Sequence, residues 1–236
     1  MRYKNECHIL KLLASRASQT SEHESFVGGL PKLPRGEGIP RCRLCGADES
    51  FFFQVACPEG SPWHRLSLAV FACTSCADEN HLIPQMLSGP LKDADIPEGF
   101  LQSYQRNFRF MVFETASATL RQEYRERVVF RPFHLEKVID PDVDANKLGG
   151  TPNWLLDDES PRFYFGNAPM SFFLQLLQGF RFEINRGAPP QVELGLDGSP
   201  QPSTSSYYQL FNGNKVFLFA TEDRAKPLIY AITQID

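Results

Sequence analysis

The chain has 236 residues, 42% hydrophobic and 22% charged, with a formal net charge of -4. Such a composition belongs to a globular protein able to bury a core, as one large domain or two small ones. Acidic and basic residues are mixed along the whole length, which excludes a broad basic nucleic-acid surface, and no run approaches the roughly 20 apolar residues of a membrane-spanning helix.

The opening MRYKNECHILKLLASRASQ is basic but lacks a continuous apolar stretch long enough for a signal peptide. A cytoplasmic protein without membrane association is the expectation, with residues 1–25 as an N-terminal segment carrying a short helix. Residues 26–80 then read as a first unit. Gly28-Gly29-x-Pro31 is a turn in which glycine permits positive φ and the residue before proline is driven toward an extended conformation. SFFFQVA is too short and too rich in phenylalanine to prefer a helix, and LSLAVFAC supplies a strand to pair beside it. Residues 81–146 form a bridge whose Leu120 and Tyr124, four apart, suggest one amphipathic helix. Within it YRERVVFRPFHLEK runs into IDPDVD, a charge-mixed, solvated face.

Residues 147–236 repeat the first phrase. With an offset of 121, Gly28, Gly29, Pro31, Pro40, Arg41, Ala47, Ser50, Phe51, Phe52 and Gln54 meet Gly149, Gly150, Pro152, Pro161, Arg162, Ala168, Ser171, Phe172, Phe173 and Gln175. Ten matches in 27 positions exceed the one or two that chance gives at about 6% per position. Further on VFAC at 70–73 meets LFAT at 218–221, so the second copy holds 27 extra residues, mostly in a Pro-, Gly- and Ser-rich stretch at 185–206. A loop that long is read as mobile and either functional or disordered. Asn212-Gly213 between apolar runs predicts a hairpin, and LIYAITQ a closing strand. The fold class is therefore α+β: strand-rich, two diverged copies of one β-unit related by a pseudo-twofold, forming one composite domain.

Four of the six cysteines form two pairs, Cys42-x-x-Cys45 and Cys73-x-x-Cys76. Each spacing lets two thiolates meet one ion from a tight turn, which Gly46 suits, and four thiolates make a closed, structural site. One structural Zn2+ clipping the two ends of the first unit is the leading reading. An iron–sulfur cluster or a redox dithiol pair are the alternatives. His64 and His81 lie near enough in sequence to replace a ligand, while Cys7 and Cys57 read as spare thiols. The second copy has Phe163, Gly166, Thr221 and Arg224 at the cysteine positions, so its end must be held by packing and hairpin pairing.

Gln54 and Gln175 sit mid-strand among phenylalanines; the glycine turn can satisfy their amides, or they can bind a ligand. Arg41 and Arg162 either pin the turn or form halves of a symmetric pocket. Trp154, in the second turn, is a candidate partner anchor.

FVGGLPKLP, PRCRLC, SFFFQVA and LAVFACTSC together resemble the programmed cell death protein 2 family and its ribosome-biogenesis relatives. KLGGTPNWLLDDESP, PMSFFLQL and NKVFLFATED are similar to the bacterial YwqG-like family, distantly akin. The resemblance covers roughly residues 26–80 and 147–234. It implies an α+β domain with two copies of the turn and strands, and a protein that binds another protein. The eukaryotic members chaperone a basic ribosomal protein, and some bacterial relatives act as immunity proteins against toxins. The separate cysteine/histidine-rich finger of the programmed cell death protein is missing here, which favours the bacterial side.

Three functions follow. The first is a non-enzymatic, monomeric module that binds a specific protein, a toxin or a basic ribosomal client, with aromatic anchors suited to the task. The second is an enzyme using the metal or a pocket between the copies; HExxH, GxSxG and Walker-type signatures are all missing from the sequence. The third is an RNA-binding zinc module, which the overall charge disfavours.

Overall fold

The computed structural model describes residues 6–13, 18–223 and 225–236. The first half carries β1 (Cys7–Leu12), β2 (Phe26–Val27), β3 (Lys32–Pro34), β4 (Ser50–Ala56), β5 (Leu66–Ala72), β6 (Asp95–Ile96), the single-turn helix α1 (Phe100–Ser103), β7 (Phe108–Glu114) and β8 (Ala118–Leu120). The second carries β9 (Arg131–Val138), β10 (Lys147–Gly149), β11 (Phe163–Tyr164), β12 (Ala168–Leu176), β13 (Phe182–Glu183), β14 (Val192–Leu194), β15 (Pro200–Pro202), β16 (Tyr207–Tyr208), β17 (Lys215–Thr221) and β18 (Ile229–Gln234). The strand-rich class stands.

One sheet runs β18-β17-β12-β10-β1-β9-β2-β4-β5-β7, with β6 and β11 joined at β12. Every pairing along that path is antiparallel. As expected, SFFFQVA and LSLAVFA lie side by side; both are buried on both faces, as are KVFLFAT and IYAITQ, which also pair with each other. One core cluster draws on both halves; a second, around Phe26, Phe51, Phe71 and Phe113, lies on the opposite face of the first half. A register shift between Phe51 and Phe53 accounts for that split. The bulge lets Phe52 and Phe53 both enter the larger core while Phe51 goes to the smaller one.

The glutamines hold the turns. Gln54 Oε1 accepts from Lys32 N–H at 3.2 Å and its Nε2 donates to Glu24 O at 3.5 Å. Gln175 Oε1 accepts from Asn153 N–H at 3.0 Å and its Nε2 donates to Ala145 O at 2.9 Å. The partners, like the glutamines, are 121 positions apart. The β12–β17 pairing also carries a shift, between Phe172 and Leu174, at the place matching the bulge in β4.

Several expectations are corrected. Residues 7–12 form the central strand β1, where a short helix was expected: pairing with β9 along its whole length and with β10 at Cys7, His8 and Ile9 outweighs helix propensity. Around Leu120 and Tyr124 there is a turn at Thr115–Ser117 and the strand β8 paired with β3. Tyr124 is fixed by its hydroxyl, which accepts Phe51 N–H at 2.8 Å. Asn212-Gly213 does not make a hairpin. Phe211, Asn212 and Gly213 all take positive φ in a tight turn, β16 pairs with β13, and β17 pairs with β12 and β18. Finally, the 185–206 stretch contains the hairpin β14–β15, tied to the body where Val192 N–H donates to Thr74 O at 2.9 Å.

Gly28 shows why the turn needs glycine. Its φ is +61°, and a Cβ there would lie 2.5 Å from the carbonyl oxygens of Val128 and Val129. Gly28→Ala is therefore expected to cost roughly 2 kcal/mol or more, read as a lower urea midpoint; an unchanged midpoint would show that the turn can relax.

Candidate metal centre

Cys42 and Cys45 lie in the turn before β4, and Cys73 directly follows β5, with Cys76 one turn on. The first turn closes through Gly46 N–H to Cys42 O and Cys42 N–H to Ala47 O, both at 2.9 Å, with Gly46 at φ +76°. That left-handed position is open to glycine at no steric cost. In the second turn Ser75 N–H points at Cys73 Sγ, 3.4 Å away. All four sulfurs lie within 4.8 Å of one another, with Cys73–Cys76 at 3.5 Å, Cys45–Cys73 at 3.7 Å and Cys42–Cys76 at 3.9 Å. A tetrahedron with metal–sulfur bonds near 2.3 Å has edges of about 3.8 Å, so the donor set fits one metal ion. These separations are far beyond the ~2.05 Å of a disulfide.

The surroundings hold the turns in place. Thr74, buried inside the second turn, shares a 2.6 Å hydrogen bond with Ser50 Oγ, and Arg127 donates to both hydroxyls at 3.1 and 3.4 Å. The bridge contributes as well. Arg43 N–H donates to Arg106 O at 2.8 Å, Arg43 Nη1 to Gln102 O at 3.1 Å, and Cys73 N–H to Asn107 O at 2.7 Å. Such outer contacts orient ligands before an ion arrives.

The thiols are unlike one another. Burial pushes Cys73 and Cys76 upward. Burial acts upward on Cys45 too, but hydrogen bonds from Ala47 N–H and from the other three thiols outweigh it and hold Cys45 below the usual thiol range. Cys45 is also the exposed member of the set. An incoming ion therefore meets a readily formed thiolate at Cys45 and displaces protons from Cys73 and Cys76.

Cys7 and Cys57 stand apart from the cluster. Cys7 is buried in β1 and donates to Asp140 O at 3.3 Å, while burial pushes Cys57 up to about 12. His81 is not in the sulfur set; its Nδ1 lies 2.8 Å from Asp78 Oδ1. Arg41 pairs with Asp48 at 3.1 Å on the exposed rim of the first turn. Arg162 lies over the ring of its neighbour Phe163, 5.1 Å from the centroid. Trp154 is half-buried, 4.3 Å from Phe217 and stacked near Phe219. Gln54 and Gln175 are fully buried, their amides engaged by the turns.

At the corresponding end of the second half, Thr221 closes β17. Its Oγ1 accepts Leu228 N–H at 2.9 Å and its carbonyl accepts Trp63 Nε1–H at 3.0 Å. Phe163 pairs in β11 with Pro169 of β12. Arg224 lies outside the described residues.

A cleft of about 260 Å3 opens beside Cys73 and Cys76, walled on its far side by β14 and by Tyr207. Asp78, His81 and Glu193 face it. The sequence did not announce this cleft, because its two walls are more than a hundred residues apart. The chain matches no family model and no curated protein. Among the described residues no helix is long and apolar enough to cross a membrane.

One outcome tests the centre and a second the buried carboxyl just after its first turn. Protein purified anaerobically should carry about one ion by elemental mass spectrometry, and Cys42→Ser should lose it with a fall in melting temperature. A metal-free parent chain would contradict the fit. Glu49 supplies the second. It is fully buried, neither carboxylate oxygen has a hydrogen-bond partner among the described residues, and burial pushes it up to about 7 despite Arg109 and Arg43 nearby. A raised folded-state value means that its stabilising share is complete below the unfolded value of 4.5 and lost as pH rises through about 7. Glu49→Gln should remove a pH-dependent loss on the order of 2–3 kcal/mol between about pH 5 and pH 8. Parallel stability–pH curves for the two proteins would refute the assignment.

Proposed function

We propose that the chain is a non-enzymatic protein-binding module, braced by one structural zinc ion, that sequesters or shields one specific partner. The observation that carries this reading is the completeness of the sulfur set. Four cysteines from two tight turns fill a tetrahedral ion and leave no position for a reacting molecule, the mark of a structural site. Zinc suits such a closed set of four thiolates. The ion then supports a surface, and the adjoining cleft between the second cysteine turn and the β14–β15 hairpin is the natural place for a partner's side chains.

The matching hydrogen bonds of Gln54 and Gln175 and the matching strand irregularities support reading the halves as diverged copies of one unit. The kinship to YwqG-like proteins rests on the quoted sequence phrases. On that kinship the partner is a toxin neutralised by an immunity protein, or a basic ribosomal client. Free cysteines suit a reducing compartment, hence the cytoplasm.

Affinity capture from the native host, using the full chain and a variant lacking 187–204, tests this. One stoichiometric partner is expected with the full chain and should be lost with the deletion. Recovery of that partner by the deletion variant would move the site away from the cleft, and an empty bait would remove the binding reading.

A further inference from the structure

The ends of the long sheet, β18 and β7, would each expose a row of unpaired backbone groups. Two consecutive side chains from the bridge cover part of both. The Tyr104 hydroxyl donates to Ile229 O at 2.7 Å and accepts Ala231 N–H at 3.2 Å, closing the outer edge of β18. Gln105 Oε1 accepts Phe110 N–H at 2.8 Å, and its Nε2 donates to Leu101 O at 2.7 Å, closing β7 at Phe110. Both side chains are buried.

The seal on β7 is incomplete. The β5–β7 ladder runs without a shift from Leu66↔Glu114 to Ala72↔Phe108. In an antiparallel strand alternate residues direct both backbone groups to the same side. Because Phe110 N–H points away from β5, so do the N–H and C=O of Val112. Beyond it, Glu114 O accepts the Ser117 hydroxyl at 2.7 Å. Val112 thus lies between two capped positions, its outward groups without a partner among the described residues.

A groove of about 380 Å3 follows this stretch of edge. Side chains from both faces of β7 line it, Met111 and Phe113 from one and Phe110 and Val112 from the other, so it tracks the strand's rim. Pro227 and Leu228, leading into β18, also line it. Its charge is unbalanced. Arg109 and Lys226 line it against the single carboxylate of Glu37, and neither cation has an ion pair within the described residues. Glu49, the buried carboxyl that acts on Arg109, is not part of the lining.

We propose that this groove receives an extended acidic segment of a partner protein, which adds to the edge of β7 at Val112 and sets a carboxylate beside Arg109 and Lys226. Main-chain bonds to a free strand edge supply affinity in such an arrangement, and the charges select the occupant. This surface is separate from the cleft beside the cysteines, and deleting 187–204 leaves it intact.

The test is a random heptapeptide display library panned on the full metal-loaded chain and counter-selected on Val112→Pro. Proline at an outward-facing edge position removes only the free N–H and no ladder bond. Enriched peptides should carry Asp or Glu between β-branched residues. By fluorescence anisotropy the best of them should bind Val112→Pro and Arg109→Glu/Lys226→Glu about tenfold or more weaker, a loss of the size that one or two such contacts give. The Val112 amide should exchange more slowly when that peptide is bound. Enrichment of basic peptides, no enrichment over the counter-selection, or equal binding to the double variant would overturn the proposal. So would a parent chain that is dimeric and becomes monomeric in Val112→Pro, since the edge would then be taken by a second copy.

Discussion

The antiparallel pairing of β1 with β9 at the middle of the sheet is the interaction on which the rest depends. Its register runs from Cys7↔Val138 to Leu12↔Phe133. Each of these strands also pairs outward, β1 with β10 and β9 with β2. The first strand of the chain is therefore flanked on both sides by strands of the second half, and β9 lies between β1 and β2, both from the first. Neither half owns a complete sheet. The shared core follows from this, because Phe52 meets Phe182, and Trp63 meets both Phe173 and Thr221. Pairings this distant in sequence must close a long loop before contacts reward them, which makes for slow, cooperative folding.

Around that centre the two ends are held by different chemistry. In the first half the cysteine turns bring the segment before β4 to the end of β5, and residues 102–107 of the bridge rest on both turns. In the second half Thr221, the β11–β12 pairing and the β17–β18 ladder occupy the corresponding places. Polar side chains complete what strands do not. Buried glutamines hold the turns, and Tyr104 and Gln105 cap part of each sheet end. Burying such groups is tolerable because each finds partners.

Much of this could be read from residue order alone. Cys-x-x-Cys spacing, the glycine turns and the doubly buried phenylalanine strands are local signals, and their consequences are local. The demand of a buried glutamine for partners pointed to the turn that satisfies it. What escaped were features decided by distant contacts. Residues 7–12 carry two leucines and a lysine at home in a helix, and only the neighbours in the sheet make them a strand. Asn212-Gly213 permits positive φ, but the preceding Phe211 takes it too, and the strands on either side have better partners elsewhere. The polar 185–206 stretch looked mobile because its anchor, the carbonyl of Thr74, lies in the other half. The cleft and the β7 groove are products of topology, and no short motif encodes either.

Hydrogen exchange on Lys11→Pro would test the central pairing most directly. Leu13 N–H donates to Pro132 O at 3.0 Å, so two residues back Lys11, opposite His134, also directs its N–H to β9, and proline there removes a ladder bond from a central strand. If the halves depend on the exchanged strands, amides of β4 and β5 and those of β12 and β17 should lose protection together. Loss confined to β1 and its immediate neighbours, with both outer sets still protected, would mean that each half stands alone and that β1 with β9 merely joins them.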